Sequence, residues 1–448
     1  MPLVPVLLYT DTLLWLLVLA AAAYAWFCAR RPHLAAPWRR VFQSRAAIAS
    51  GAVLAMFMIV GLADSLHFRR PPSIAEQSLL DFALTHLRER GEKTYSAPLA
   101  TRLYAKEQIE TPGGESVRDY PRLRFGGSHL ESESDAALDM AWLALRGVLI
   151  ASVLWAALFF ALSGRLRRKF AHVPWGAGWI VLGAVLALAG PALSLSQHWH
   201  VLGTDKVGND VLFQALKSVR TSLVIGTLTT LVLLPLGIAL GTVAGYFKGW
   251  VDDLIQYLYT TLNSIPGVLL IAAAVLMMQV VIDRNPEWFA TAAQRADFRL
   301  LILCAILGLT SWTGLARLLR GETLKLSELE YIQAAHAFGV SDARILGRHI
   351  LPNVAHIVII AMVMDFSGLV LAEAVLSYVG VGVDPATTSY GTMINAARLE
   401  MGREPIVWWS LAAAFAFMFV LVLAANLFAD AVRDGFDPRV RVGGLIPA

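Results

Sequence analysis

Two carboxylates, Asp365 and Glu373, stand eight residues apart in an otherwise apolar run, 355–380. A charge inside a membrane-length helix is costly and marks a cavity, an ion or proton site, or a partner. Eight residues correspond to about 80° around a helix, so both groups can face one interior. Such a pair suits the lining of a transport path or a contact for a substrate amine. It equally suits a buried, hydrogen-bonded anchor between helices. His356, near the start of the same run, reads as an interfacial residue.

Just before that run lies a conspicuously polar stretch, EYIQAAHAFGVSDARILGRHILPN, Glu330 to Asn353. Its pattern predicts a short helix over Glu330–Phe338, with Ala334, Ala335 and Ala337 small enough to let another surface approach. Gly339 suits the helix end and Ser341 the cap of a second helix. Pro352 can open the next span, where its missing N–H costs least. The result is a helix–turn–helix elbow that could plug a cleft on another protein or serve as an ordinary structured loop. Gly237, Gly241 and Gly245, four residues apart, make a face for close helix packing.

The chemistry that is missing narrows the field. The sequence has no G-x-x-x-x-G-K-[ST] phosphate loop, no H-E-x-x-H, no G-x-S-x-G and no Cys/His cluster. Cys28 and Cys304 both lie in apolar runs and read as small hydrophobes, not as a disulfide or metal framework. We therefore expect no catalytic site, no metal and no cofactor bound by this chain, so that any energy source must be supplied by another subunit.

The elements that must position these residues are membrane helices. Of 448 residues, 57% are hydrophobic and 16% charged, with mean hydropathy +0.60, where a soluble domain is about one quarter charged. Nine candidate spans follow, at roughly 12–28, 46–63, 144–163, 174–196, 222–246, 254–282, 300–317, 355–380 and 406–429. No strand-length alternation suggests a β-barrel. The formal charge of +4 is small for this length and points to basic loops, not to nucleic acid. No basic residue precedes the first run, while Arg30, Arg31, Arg39 and Arg40 follow it. That asymmetry predicts an external N-terminus, a cytoplasmic 29–45 loop, and, by alternation, a cytoplasmic elbow and a cytoplasmic tail holding Arg433, Arg439 and Arg441. Residues 64–140 then form an external segment with 10 Lys/Arg and 13 Asp/Glu. Its Ser73–Arg90 part is expected to be an amphipathic helix, serving a packed cap or a docking surface.

The polar stretch resembles the EAA loop of ABC-transporter permeases, the element that docks into the ATP-binding subunit. Ala334, Ala335, Gly339, Ile350, Leu351, Pro352 and Asn353 match it, and Gln333 stands where glutamate is usual. Further blocks resemble the C-type permease subunit of dipeptide, oligopeptide and nickel importers. GTDKVGNDVL (Gly203–Leu212) resembles its external signature, with Asn209 replacing the usual Arg. AGYFKGWVDD (Ala244–Asp253), SWTGLARLLRGETL (Ser311–Leu324), LSYVGVGVDPATTSYGTMI (Leu376–Ile394) and FDPRVR (Phe436–Arg441) follow in order.

The resemblance implies an all-α, type I importer core of six helices, five of the candidate spans lying in 200–441 and the sixth ahead of them. That sixth is either the 46–63 span, since WRRVFQSRAAIASGAVLAMFMIV (Trp38–Val60) resembles the family's first span, or the span that starts near Pro174; the coupling loop is at 330–353 and a tail at 442–448. Ahead of residue 200 stand an extra helix with a basic loop, 1–45, and helices with the external segment, 46–199. It implies an ATP-driven, binding-protein-dependent importer subunit of the bacterial inner membrane, with peptides as the expected cargo. Its implied partners are a second homologous permease, two ATPases that use ATP and Mg, an external substrate-binding protein, and membrane lipid. The coupling residues would be Tyr331, Gln333, Ala334, Ala335, Phe338, Gly339, Asp342 and Pro352. Asp365 and Glu373 are the candidates for the path. Gly203, Thr204, Asp205, Gly208 and Asp210 form the external signature. Two other readings remain open on the residues: an ion-gradient-driven carrier using Asp365 and Glu373, and a non-transporting scaffold built on 64–140.

Overall fold

The computed structural model describes residues 4–69, 76–110 and 116–437. The tail 438–448, with Arg439, Arg441 and most of the FDPRVR block, lies outside them, as do Ser73, Ile74 and Ala75. The described chain is mostly helical, and nine stretches in it are long and apolar enough to cross a membrane. That is the expected all-α polytopic architecture.

In chain order, β1 (Val4–Val6) precedes α1 (Tyr9–Ala29), α2 (Pro32–Val41) and α3 (Arg45–Asp64). Then come β2 (His67–Arg69), β3 (Glu76–Ser78), α4 (Leu79–Ala83), α5 (Thr85–Arg88), β4 (Glu107–Glu110) and β5 (Ser116–Asp119). The long helices α6 (Ala136–Lys169), α7 (Trp175–Leu195) and α8 (Val211–Phe247) follow, then α9 (Gly249–Ser264) and α10 (Gly267–Arg284). α11 (Ala292–Ser311) and α12 (Thr313–Ser327) lead to α13 (Glu330–Ala337) and α14 (Asp342–Ile345). One π turn, Leu346–Ile350, runs into α15 (Leu351–Val379), and α16 (Tyr390–Arg398) and α17 (Trp409–Phe436) end the described chain.

Two local expectations give way to backbone chemistry. The run 254–282 is not one span. Ile265 is extended, and Pro266, which has no N–H to donate, separates α9 from α10. Only α10 keeps a spanning length. The expected amphipathic helix ending at Arg90 is instead β3 followed by two short helices. Ser78 and Asp81 cap the start of α4 reciprocally, and Leu84 leaves the helical region between α4 and α5.

The described residues form two compact units. The first takes 4–7, 42–222 and 385–424. In it α6 and α7 pair so closely that a Cβ on Gly147 would sit 2.5 Å from the Gly190 carbonyl oxygen. Trp155 Nε1 donates to the Trp179 carbonyl at 2.9 Å. β1, β2 and β3 form an antiparallel sheet. The polar segment after α3 folds back on the helices as a cap and is held by charge. Lys217 on α8 reaches Asp64 and Asp81 at 2.8 and 2.9 Å. Burial alone would raise the Asp81 carboxyl, but Lys217 and the Ser78 N–H hold it below its ordinary value.

The second attachment of the cap is a buried histidine between two carboxylates. His200 Nδ1 lies 2.8 Å from Asp210 Oδ2, and its Nε2 lies 3.4 Å from Glu92 Oε1. Glu92 also accepts backbone N–H groups from Arg124, Phe125 and Gly126 at 2.8–3.2 Å. Burial alone would lower the imidazole, yet its two carboxylate partners raise it to about 9.

The second unit takes 8–41, 223–384 and 425–437. Its core gathers Tyr259, Leu315, Leu319, Ile332, Ile345, Ile350 and Val354, from α9, α12 and the elbow into α15. The glycine face seats α8 on α12: a Cβ on Gly241 or Gly245 would meet the Ala316 or Arg320 carbonyl oxygen at 2.6 Å. α1 joins α11 through Thr10, whose N–H donates to Asp297 Oδ2 at 3.0 Å.

A His200 pKa raised in the folded state has a fixed sign. Its stabilisation is complete below the unfolded value of about 6.5 and is lost as pH rises toward about 9. The melting temperature of the wild type should therefore fall over that interval, by an amount corresponding to on the order of a few kcal/mol. A His200→Gln variant should be less stable at neutral pH and show no such fall. Parallel pH profiles for the two proteins would contradict the clamp.

Candidate functional site

The polar stretch forms the elbow that the sequence suggested. α13 closes in a glycine-terminated cap in which Gly339 N–H donates to the His336 carbonyl at 3.0 Å and Val340 N–H to the Ala335 carbonyl at 3.1 Å. Gly339 sits at φ +74°, the left-handed conformation that this closure requires. The helix has two faces. Ile332 is 3% exposed, and beyond the turn Ile345 and Ile350 are fully buried. Phe338 is 86% exposed, and Tyr331, Gln333 and Ala334 are exposed beside it. The elbow thus presents an aromatic side chain outward from a root fixed in the core.

Of the other expected coupling residues, Ala335 is half-buried against that core. Gln333 Nε2 donates to the Glu328 carbonyl at 3.3 Å. Asp342 accepts the Tyr246 hydroxyl at 2.7 Å. Pro352 occupies the first turn of α15, and the following Asn353 donates to the Tyr331 hydroxyl at 3.1 Å.

Several residues that brace the elbow were not singled out by the sequence reading. Arg320 of α12 makes two contacts of 2.5 and 2.6 Å to Asp252 of α9. The hydrogen bonds from Arg320 hold the Asp252 carboxyl below its ordinary value. Lys248, at a positive φ in the turn between α8 and α9, pairs with Glu328 just ahead of α13. These residues lie in or beside the AGYFKGWVDD and ARLLRGETL blocks, whose resemblance was visible though their pairing was not. Only folding brings 252 beside 320.

Asp365 and Glu373 have different surroundings. Asp365 is half-buried and makes no hydrogen bond or ion pair among the described residues. It borders the exposed side of α15 that carries Met364, Gly368, Leu371 and Val375. Glu373 is 1% exposed, and the Ser377 hydroxyl donates to it at 2.6 Å. Ser377 also receives the Val383 N–H at 3.3 Å, so Glu373 helps close the end of α15.

The 203–210 loop lies in the first unit, where the cap covers it. Thr204 accepts Ser96 N–H at 2.7 Å and donates to the Thr94 carbonyl at 2.9 Å. Asp205 accepts Val207 and Asn209 N–H groups at 2.9 and 2.8 Å and closes the turn. Gly203 and Gly208 both take positive φ. Asp210 holds His200 and accepts the Phe213 N–H at 3.1 Å near the start of α8. Trp409 Nε1 donates to the Thr204 carbonyl at 2.9 Å.

A family profile described as the binding-protein-dependent transport system inner membrane component matches residues 237–442, which contain the whole elbow. The glutathione transport system permease protein GsiD of Pectobacterium atrosepticum is 34% identical over 248 residues, 55% of this chain and 74% of its own length. The chain belongs to this family. It is a multi-pass permease subunit of a binding-protein-dependent ABC importer. The oligopeptide transport system permease protein OppC of Mycobacterium tuberculosis is 30% identical over 246 residues, 55% of this chain and 77% of that protein. A solved chain of the MetNI methionine ABC transporter, at 15% identity and a TM-score of 0.39, covers 51% of this chain and 98% of that chain. The family profile begins inside α8, so α1 to α7 and the cap lie outside the matched permease residues.

Two glycines of this permease test different constraints. A Cβ on Gly339 would meet nothing within 4 Å, so Gly339→Ala carries only the left-handed backbone cost, about 1–2 kcal/mol. A Cβ on Gly208 would lie 1.8 Å from the Glu92 carbonyl oxygen. Gly208→Ala should therefore lower the melting temperature further and expose residues 92–126 to protease. Equal effects of the two substitutions would contradict this packing.

Proposed function

We propose that this permease carries di- or oligopeptides and that the 330–350 elbow is the surface gripped by a cytoplasmic ATPase. The observation that carries the reading is Phe338, 86% exposed on an elbow whose other face is buried. An exposed aromatic on a rigid base is the kind of anchor that dominates a protein interface. Rigidity at the root lets a push on Phe338 reach α15, as alternating access requires. Gln333 contributes size and hydrogen-bonding capacity to this contact, without the charge of the usual glutamate.

The chain pairs with a second permease and two ATPases that bind ATP and Mg, as the resemblance implies, and its sequence has no phosphate-binding loop of its own. The names of the relatives, permeases for glutathione and for oligopeptides, support the peptide class. Asp365 faces the path or the second permease, and Glu373 acts as an anchor within the chain. The N-terminus and the cap are external, the elbow is cytoplasmic, and a binding protein delivers cargo on the capped side. Residues 200–441 form most of the working core, and its remaining span comes from the segment ahead of 200, which also carries the additional helices and the cap.

The test is purification of the tagged chain with its co-expressed genomic neighbours. Phe338→Asp leaves the buried root intact, so the variant should fold. It should weaken ATPase capture about thirty-fold, the equivalent of ~2 kcal/mol. Undiminished capture by Phe338→Asp, or peptide uptake by this chain without any ATPase, would overturn the assignment.

A further inference from the structure

We infer that the α1–α2 segment binds the headgroups of anionic phospholipids, through Arg30 and Arg31 at the end of α1 and Arg39 and Arg40 in the last turn of α2. The inference stands apart from the cargo: this segment precedes the family match at 237–442, and it needs only that α1 cross a bilayer.

The level of these arginines follows from the helix they close. Residues 12–28 are free of charge, α1 ends at Ala29, and Arg30 caps it. A span of that length places its first charges where the headgroups are. No Asp or Glu occurs between Asp11 and Asp64, so no acid close in sequence neutralises the four cations; the acids beside the packing contact are Asp434 and Asp437, which flank the Gly435 and Phe436 that α2 packs on. None of the four side chains makes an ion pair or hydrogen bond among the described residues.

Their arrangement is more ordered than a solvated basic loop needs. The Arg30 guanidinium lies 3.7 Å from the centre of the Trp26 ring, and that of Arg31 lies 4.6 Å from the Phe27 ring. Stacking occupies the face of a guanidinium and leaves its N–H edge for phosphate oxygens. α2 is fixed through its apolar side. Trp38 packs edge-on against Phe436 at 5.2 Å, and Val41, 1% exposed, lies against Gly435 of α17. That leaves Arg39 and Arg40 exposed in the last turn of α2.

A soluble phosphate would use the arginines alone. A phospholipid uses the wall beneath them as well, because Tyr24, Trp26 and Phe27 are 44%, 59% and 43% exposed on the last turns of α1. Acyl chains cover those rings while the headgroup meets the guanidiniums. The occupant is therefore a lipid with a negative headgroup.

The test places the full chain in nanodiscs of phosphatidylcholine with or without phosphatidylglycerol. Two readouts are the phosphatidylglycerol retained in native mass spectrometry and the shift in melting temperature that it causes. A basic side chain at the surface changes anionic-lipid partitioning about five-fold, so Arg39→Gln with Arg40→Gln should reduce retention about twenty-five-fold. The corresponding pair of Arg→Lys changes should keep most of it. The same shift should fade in wild type as salt is raised, a readout that survives if the Gln variant does not fold. Equal retention by the Gln variant, a salt-insensitive shift, or reproduction of the shift by inorganic phosphate alone would each overturn the lipid site.

Discussion

Ile332, Ile345 and Ile350 lie beneath a segment whose other face is exposed, and their burial makes the elbow a continuation of α15. Without that root, α13 would be eight residues of helix on a flexible connection, too short to persist alone. With it, the turn at Gly339 and the π turn at Leu346–Ile350 join two helices that must move together. The Tyr246–Asp342 contact ties the same element to α8, and the Arg320–Asp252 contact ties α12, which leads into it, to α9. The glycine face of α8 completes the arrangement by letting α12 approach to backbone contact. Every one of these contacts falls inside the second unit, so the elbow and the helix it drives share one core.

The first unit meets a different demand. The loop that resembles the importer signature is occupied by the chain's own cap, through Glu92, Ser96 and Thr94. Its positive-φ glycines are needed less for the turn alone than for the approach of the cap backbone. Buried ionic contacts contribute little net stability when complete, but removing one member strands its partner. The Lys217 and His200 contacts therefore specify where the cap sits more than they strengthen it.

Much of this was legible from residue order. The apolar runs located the spans, because a bilayer accepts only helices or closed barrels, but not all of the helix ends: α8 begins at Val211, about three turns before the apolar run does. Gly339, Ser341 and Pro352 marked the elbow's boundaries through local backbone chemistry alone. The break at Pro266 was legible too, but the apolar character of 254–282 masked it. The amphipathic pattern before Arg90 failed for another reason: the Ser78–Asp81 cap and the turn at Leu84 are local features that periodicity does not register. Pairings between distant residues, such as His200 with Glu92 or Arg320 with Asp252, leave no trace in a single sequence. Asp365 and Glu373 looked equivalent at eight residues' separation, and only packing distinguished them.

The central claim is that Phe338 is the point of contact with an ATPase. A photoreactive amino acid placed at position 338 of the co-expressed complex tests it most directly. Crosslinking to the ATPase subunit, with a yield that changes when a non-hydrolysable ATP analogue is added, is the predicted result. An ATPase that co-purifies with the complex but is never crosslinked from position 338 would contradict it.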